Sequence, residues 1–200
     1  MPIGGVVLAA GEGARFKEGN KLLLPFRGKP VIYHAVREAL RSKLEPLLLV
    51  IGHEGERVLA ALEGLRHDPK LRVVRNPRWR SGRASSVNAA IERLPEDARG
   101  AVFLQGDMPL MTHQVIDRVV EEFAKSGARL CFPLYRGEKG HPVALSRELL
   151  AELHQLRGDR SGFALVKKYW GEALKLPLED ESTQFDLDTY EDYLRLLELE

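Results

Sequence analysis

The sequence has one cysteine, no long apolar run and almost no net charge. Because Cys131 has no second cysteine to pair with, an internal disulfide is excluded. The absence of disulfides is typical of proteins in the reducing cytoplasm. No stretch reaches the roughly 18 apolar residues of a transmembrane helix, and residues 6–10 are typical of a buried strand, not of a signal peptide. The net charge of +1 lacks the basic excess of nucleic-acid-binding proteins. We therefore expect a cytoplasmic protein with no membrane or nucleic-acid partner.

Two common nucleotide-binding signatures are also missing. A dinucleotide fingerprint requires a third glycine at the position that Phe16 occupies. A Walker loop requires Gly-Lys followed by Ser or Thr, whereas Gly28-Lys29 is followed by Pro30. No Ser-His-Asp or Cys-His set is evident, so the sequence does not indicate covalent catalysis.

Short apolar runs of strand length alternate with segments of helical periodicity. Strands are predicted at residues 3–10, 47–51, 71–74, 101–104, 130–132 and 173–176. Helices are predicted at residues 30–41, 54–65, 85–94, 113–123, 146–156, 161–170 and 190–199. This alternation predicts an α/β fold, a three-layer Rossmann-like arrangement with a mostly parallel central sheet. Because no repeat, low-complexity tract or linker is found, a single domain over residues 1–200 is expected.

A loop of small residues follows the first predicted strand, with the sequence Leu-Ala-Ala-Gly-Glu-Gly at residues 8–13. Small residues allow backbone N–H groups to approach phosphates closely. Arg15 and Lys21 follow the loop and supply positive charge for a triphosphate and a departing pyrophosphate. The alternative is a plain tight turn between a strand and a helix.

Carboxylates occur at two further points of the chain. Asp107 follows the predicted strand 101–104, and Asp186 and Asp188 precede the last predicted helix. Because ligands of parallel sheets bind at the carboxyl ends of the strands, Asp107 is a candidate Mg²⁺ ligand. The alternatives are that Asp107 only bonds its own turn, and that Asp188 or Thr189 only caps the helix.

Together these residues resemble the signature of the nucleotidyltransferase superfamily with a GT-A-like Rossmann fold. Within it, the chain most resembles molybdenum cofactor cytidylyltransferases and their molybdopterin nucleotidyltransferase relatives. The motifs that support this narrower resemblance lie at residues 76–87, at Gly140-His141-Pro142 and at residues 158–162. The matches span residues 6–190. Residues 16–19 depart from the commoner Arg-Met-Gly pattern, which leaves the geometry of the loop open, and Ser161 stands where glycine is common.

This resemblance implies a Mg²⁺-dependent transfer of CMP from CTP to the phosphate of molybdopterin, with Mn²⁺ as an alternative metal. It implies catalytic roles for Arg15, Lys21 and Asp107, metal binding by Asp107 and Asp186, and acceptor binding by His141 and Pro142. Asp186 is preferred over Asp188 as the second metal ligand because the motif places Asp186 nearer the end of the sheet, whereas Asp188 with Thr189 is better placed to start the last helix. The residues implied in nucleotide binding are Leu8, Ala9, Ala10, Gly11, Gly13, Arg15, Lys21, Gly82, Ser86 and Asp107.

The choice of base depends on the same loop. Guanylyltransferases of this pathway usually carry Leu-Ala-Gly-Gly, whereas Ala10 here occupies the first of the two glycine positions. Its methyl group narrows the base pocket and favours a pyrimidine. Ser86 resembles a serine that contacts the cytosine edge, and the alternative role for Ser86 is capping of the helix predicted at residues 85–94.

Other functions stay open at this level. They are GTP as the donor, another acceptor such as a sugar phosphate, methylerythritol phosphate or phospholactate, and a non-catalytic chaperone that delivers the cofactor. The resemblance also implies xanthine-dehydrogenase-like apo-enzymes as recipients of the product.

Overall fold

A central sheet with helices on both faces confirms the predicted α/β fold. The protein is represented by a computed structural model that describes residues 2–13, 16, 19–155 and 161–199. The strands are β1 (Ile3–Ala9), β2 (Pro25–Phe26), β3 (Lys29–Pro30), β4 (Leu47–Ile51), β5 (Leu71–Arg75), β6 (Gly100–Gln105), β7 (Leu130–Tyr135), β8 (Glu138–Lys139), β9 (Val143–Ser146) and β10 (Leu174–Pro177). The helices are α1 (Val31–Arg41), α2 (Gly55–Ala60), α3 (Arg83–Ile91), α4 (His113–Ser126), α5 (Arg147–Gln155), α6 (Ser161–Lys168) and α7 (Tyr190–Leu197).

The central sheet is mostly parallel. Its strands lie in the order β10-β7-β9-β6-β1-β4-β5, with β8 added to β7 and with β2 and β3 forming a separate hairpin. Strands β6, β1, β4 and β5 are parallel to one another, and β7 and β10 are parallel to each other. Strand β9 runs antiparallel between β6 and β7.

Successive residues of the central strands point to opposite faces of the sheet, as strand geometry requires. In β4, Leu49 joins the core beneath α1, α2 and α4, whereas Leu48 joins the core beneath α3, α5 and α6. Both side chains are fully buried. The two cores explain why these strands are apolar throughout rather than alternating.

Some local expectations were wrong. The helix predicted at residues 54–65 is split, because Glu63 has a φ of +39° that no α-helix accommodates, and a 3₁₀ turn follows at Glu63–His67. The antiparallel strand β9 was not predicted, since three apolar residues are too few to separate strand from helix by periodicity. The short strand β8, which forms a hairpin with β7, was not predicted either.

A third, smaller core lies under the last helix. Phe16 and Phe26 pack there with Tyr193 and Leu196 of α7, and all four are buried. Phe16, which replaces the third glycine of a dinucleotide fingerprint, therefore has a packing role. None of the helices formed by the described residues combines the length and apolar character needed to cross a membrane.

Candidate active site

The loops after β1 and β6 meet at one edge of the sheet. The two strands are parallel neighbours with Leu8 opposite Gln105, so the loops that follow them leave the sheet side by side. The Gly106 N–H donates to the Leu8 carbonyl at 2.9 Å and holds the loops together. A cleft of about 740 Å³ opens there, a volume ordinary for a ligand site. Its walls are formed by Leu8, Ala9, Ala10, Gly11, Glu12, Gly13, Asn20, Lys21, Leu22, Trp79, Arg80, Gly82, Arg83, Ser86, Gln105, Asp107 and Asp188.

The glycine loop, residues 8–13, lines the cleft. Gly13 has a φ of +66°, a conformation that favours glycine. A Cβ atom at Gly11 would meet nothing within 4 Å, so the backbone there is open to an approaching group. Ala10 is only 3% exposed, and its carbonyl accepts from the His53 N–H at 3.0 Å. Ala10 therefore lines the cleft and also belongs to the core beneath α3.

Lys21 connects the glycine loop to both acidic motifs. Its Nζ atom lies 2.5 Å from Asp107 Oδ2 and 3.4 Å from Asp188 Oδ1, and it also donates to the Leu187 carbonyl. Asn20 Oδ1 accepts from the Leu22 N–H at 3.1 Å, which caps the 3₁₀ turn that carries Lys21. The Leu187 N–H donates to the Asp107 carbonyl at 3.1 Å, so the two acidic loops are joined through the backbone as well.

The two candidates for the second metal ligand differ in position. Asp188 lines the cleft with Asp107, whereas Asp186 lines a neighbouring cavity. Burial, followed by the charges of Asp107 and Asp188, raises the pKa of the Asp186 carboxyl. The start of α7 uses Thr189 and Asp192 in a capping box, so the reason for assigning Asp188 to the helix start does not hold.

The carboxylates fit a hard divalent cation. Among the described residues no group of three or more His, Cys, Asp or Glu side chains is arranged to hold a metal. One or two carboxylates completed by substrate phosphates and water are nevertheless the usual protein ligands of Mg²⁺. The Lys21 ammonium lies against Asp107 and Asp188, which shows that this pair already accommodates a positive charge.

The start of α3 lines the same cleft as Asp107 and Asp188. The N-cap residue of α3 is Gly82, which has a φ of +103° and makes no side-chain cap. Ser86 lies inside the helix, so the alternative that Ser86 caps its N-terminus was wrong. Asn76 Nδ2 instead donates to Ser86 Oγ at 2.9 Å and to Ser85 Oγ at 2.8 Å. Ser86 is 6% exposed and faces the cleft from a fixed position.

The segment around Trp79 carries five arginines: Arg72, Arg75, Arg78, Arg80 and Arg83. Arg80 and Arg83 line the cleft, with the Arg80 guanidinium 4.6 Å from the centre of the Trp79 ring. Arg75 instead pairs with Glu56 on the surface at 2.9 Å. The positive charge of this stretch is thus partly directed at the cleft.

His141 and Pro142 lie beside the cleft without lining it. Phe103 pairs with Val143 at the end of the antiparallel ladder, and His141 and Pro142 come directly before Val143 in the chain. The His141 N–H donates to the Thr183 carbonyl at 2.7 Å, and a Cβ atom at Gly140 would come within 3.0 Å of Thr183. Burial, with the charges of Lys139 and Arg83, lowers the pKa of the His141 imidazole to about 3.

Some predicted site residues lie outside the described residues. They are Arg15 and residues 158–160 of the later motif, and the Ser161 side chain is likewise not described. Gln105 lines the cleft but was not predicted as a site residue, because only Asp107 was considered at the end of this strand. The positioning role of Asn76 was also missed, although the motif at residues 76–87 contains it, since its bonds join positions separated along the chain.

A sequence profile described as the MobA-like NTP transferase domain matches residues 5–174. The chain belongs to this family. The match is to MobA-like NTP transferase domains in general, and the narrower resemblance to molybdenum cofactor cytidylyltransferases stays a prediction.

Two proteins illustrate the similarity of this MobA-like domain to known ones. The bifunctional protein GlmU of Kineococcus radiotolerans is 36% identical over 129 residues, which are 64% of this chain and 26% of that protein. The chain thus spans about a quarter of the length of this curated relative. The crystal structure of Rv0371c from Mycobacterium tuberculosis is 30% identical, with a TM-score of 0.85 and coverage of 99% of this chain and 98% of that one. A structure of Rv0371c in complex with manganese is 29% identical, with a TM-score of 0.81 and 99% coverage of each chain.

Proposed function

We propose that this MobA-like domain is a nucleotidyltransferase that moves CMP from CTP to the phosphate of molybdopterin and releases pyrophosphate. The observation that carries the proposal is the convergence of the glycine loop, Lys21 and two carboxylates on one cleft. Membership of the NTP transferase family supports the reaction class. The cytosine base is supported by Ala10 in the cleft wall and by the held Ser86 hydroxyl.

In this proposal the backbone N–H groups of residues 10–13 bind the β- and γ-phosphates of CTP. Arg15 and Lys21 add positive charge that stabilises the departing pyrophosphate. For Lys21 this requires a shift of its ammonium from Asp107 towards the phosphates. The open backbone at Gly11 leaves room for the phosphates to approach.

The proposed reaction is a single displacement. An oxygen of the acceptor phosphate forms the new bond to the α-phosphorus, and the bond from that phosphorus to the bridging oxygen breaks. Pyrophosphate leaves with the electron pair. The acceptor phosphate is already ionised near neutral pH, so the residues need only hold the two groups in line.

A divalent cation, Mg²⁺ or Mn²⁺, would supply charge neutralisation at the reacting phosphates when bound. Asp107 is the first ligand in this proposal. There are two candidates for the second ligand. Asp188 is favoured because it lines the cleft, whereas Asp186 lines a neighbouring cavity and is favoured by the sequence motif. The manganese complex of Rv0371c supports the use of a divalent metal in the family.

The deciding experiment measures pyrophosphate release from CTP or GTP with Mg²⁺, in the presence and absence of molybdenum-loaded molybdopterin. We expect release with CTP that depends on the pterin and is lost in Asp107→Ala but kept in the exposed control Asp97→Ala. Release with GTP would overturn the base assignment. No release with either nucleotide would overturn the pterin acceptor, and sugar phosphates, methylerythritol phosphate and phospholactate would follow.

Product hand-over to a xanthine-dehydrogenase-like apo-enzyme forms a further part of the proposal. Retention of the dinucleotide product on the protein, followed by its transfer when the apo-enzyme is added, would support it. Nucleotide binding without any turnover would instead indicate a delivery chaperone.

A further inference from the structure

Gln105 is a polar side chain at the carboxyl end of the otherwise apolar strand β6. The five residues before it are buried, whereas Gln105 is half-buried and lines the cleft. None of the hydrogen bonds that join the described residues uses the Gln105 carboxamide. A carboxamide both donates and accepts hydrogen bonds, so Gln105 offers both functions to a ligand in the cleft.

The Gln105 side chain lies on the α3 face of the sheet. Ala101 and Phe103 contribute to the core beneath α3, α5 and α6, and alternate residues of a strand share a face. Leu8, the partner of Gln105 in β1, packs against the same core. Ser86 of α3 also lines the cleft. Gln105 and Ser86 therefore reach the cleft from the same face of the sheet.

Gln105 is also close to Asp107. Only Gly106 separates the two residues, so their Cα atoms are at most about 7 Å apart. In the function proposed above, Asp107 lies at the reacting α-phosphate and Ser86 lies at the base. The ribose joins these two parts of a nucleotide, and Gln105 adjoins Asp107 in the chain while sharing the face of Ser86. The sugar is therefore the part of the nucleotide that Gln105 is placed to contact.

We propose that the Gln105 carboxamide forms a hydrogen bond with the 2′-hydroxyl of the ribose and thereby selects ribonucleoside over deoxyribonucleoside triphosphates. The 2′-hydroxyl is the sugar hydroxyl nearest the base, which suits a side chain on the face of Ser86. A hydroxyl both donates and accepts, as the carboxamide does. The nucleotide as the ligand rests on the nucleotidyltransferase function proposed above, but selection of the ribose can be measured by binding alone. Because CTP and GTP carry the same ribose, this selection is independent of the base.

Equilibrium binding tests the ribose contact without turnover. CTP, 2′-deoxy-CTP and 3′-deoxy-CTP are titrated into the full-length protein by calorimetry, with Mg²⁺ and without an acceptor. We expect 2′-deoxy-CTP to bind about 10- to 100-fold more weakly than CTP, because the hydroxyl that pairs with Gln105 is missing. The affinity of 3′-deoxy-CTP should stay close to that of CTP. Equal affinities of CTP and 2′-deoxy-CTP, or a loss only with 3′-deoxy-CTP, would overturn the assignment.

Substitutions attribute the selection to the Gln105 side chain. In Gln105→Leu, which suits the end of an apolar strand, we expect CTP to bind about 10- to 100-fold more weakly and 2′-deoxy-CTP to bind as before. The two affinities should therefore become similar. Gln114→Leu, at an exposed position in the first turn of α4, is the matched control and should keep the wild-type ratio.

A second variant covers the case in which Gln105→Leu does not fold. Gln105→Glu keeps the size of the side chain and an acceptor for the hydroxyl, so it should retain a preference for CTP over 2′-deoxy-CTP. Its negative charge should weaken the binding of both nucleotides. Retention of the wild-type ratio in Gln105→Leu, or its loss in Gln105→Glu, would overturn the role of Gln105.

The two proposals fail separately. A binding preference for CTP that disappears in Gln105→Leu, without pyrophosphate release from any acceptor, would support the ribose contact and reject the transferase. Pyrophosphate release with equal kcat/KM for CTP and 2′-deoxy-CTP would reject the ribose contact and keep the transferase. If GTP is the donor, GTP and 2′-deoxy-GTP replace the cytidine nucleotides. Binding of neither CTP nor GTP would overturn both proposals.

Discussion

The Nζ atom of Lys21 lies 2.5 Å from Oδ2 of Asp107, so an ammonium group occupies the side of the carboxylate where a metal is predicted. Asp188 Oδ1 is 3.4 Å from the same nitrogen. In the function that we propose, Lys21 and a divalent cation would compete for these two carboxylates, and a bound triphosphate would offer Lys21 another partner. Such competition would couple metal binding to nucleotide binding.

Removing Lys21 should separate its two effects. In Lys21→Met we expect Mn²⁺ to bind several-fold more tightly in the absence of nucleotide, because the competing ammonium is gone. Pyrophosphate release should fall by about 10²- to 10³-fold, as for loss of one charge-stabilising donor. Electron paramagnetic resonance of free Mn²⁺ measures the first effect. Lys29→Met, which removes a surface lysine paired with Glu63, is the matched control. Weaker Mn²⁺ binding in Lys21→Met would contradict this competition.

The second metal ligand can be decided by two isosteric substitutions. We expect Asp188→Asn to weaken Mn²⁺ binding more than Asp186→Asn does, because Asp188 shares the cleft wall with Asp107 and Asp186 faces the neighbouring cavity. The same titration in both variants measures this. The reverse order would support the preference for Asp186 that the sequence motif indicates.

The Ala10 methyl group should set the preference between bases. We expect Ala10→Gly to raise kcat/KM for GTP relative to CTP by at least about tenfold, since one methyl group in a well-packed pocket is worth about 10- to 200-fold. Pyrophosphate release with each nucleotide measures the ratio. An unchanged ratio, with both activities intact, would show that Ala10 does not select the base.

Glu38 should make stability depend on pH. The carboxylate is 6% exposed and accepts from His113 Nδ1 at 2.8 Å, from the His113 N–H at 3.1 Å and from Arg41 Nη1 at 3.1 Å. Burial alone would raise the Glu38 pKa, but the hydrogen bonds from His113 and the charges of the arginines lower it overall. A carboxyl with a lowered pKa stabilises the fold above its unfolded-state pKa, and the effect is lost as pH falls through the folded-state pKa.

Glu38→Gln should therefore lower the free energy of unfolding by about 1–3 kcal/mol at pH 7. The difference from the wild type should shrink as the pH falls below about 4, where the wild-type carboxyl also becomes protonated. Urea unfolding at several pH values measures it, with exposed Glu96→Gln as the control. A pH-independent difference would contradict the assignment to ionisation of Glu38.

The thiol of Cys131 should be unreactive in the folded protein. It is fully buried in β7, and burial raises its pKa to about 12. We expect no reaction with a thiol-specific disulfide reagent at pH 8, and one equivalent of reaction after unfolding in urea. Rapid modification of the folded protein would indicate that β7 opens locally.

The sequence determined the class of fold and the positions of the two key loops. Apolar runs and helical periods are local properties, so the alternation of strands and helices could be predicted without any contact. The glycine loop and Asp107 follow apolar strands, and the carboxyl ends of parallel strands meet at one edge. The convergence of the glycine loop and Asp107 was therefore predictable as well.

The tertiary structure alone decided the contacts between distant residues. Val143–Ser146 becomes a strand only because β6 and β7 pair with it on both sides. Asp188 is placed on the cleft by two contacts of distant or neighbouring residues. The capping box of α7 begins one residue later, at Thr189, and the Lys21 ammonium pairs with the Asp188 carboxylate.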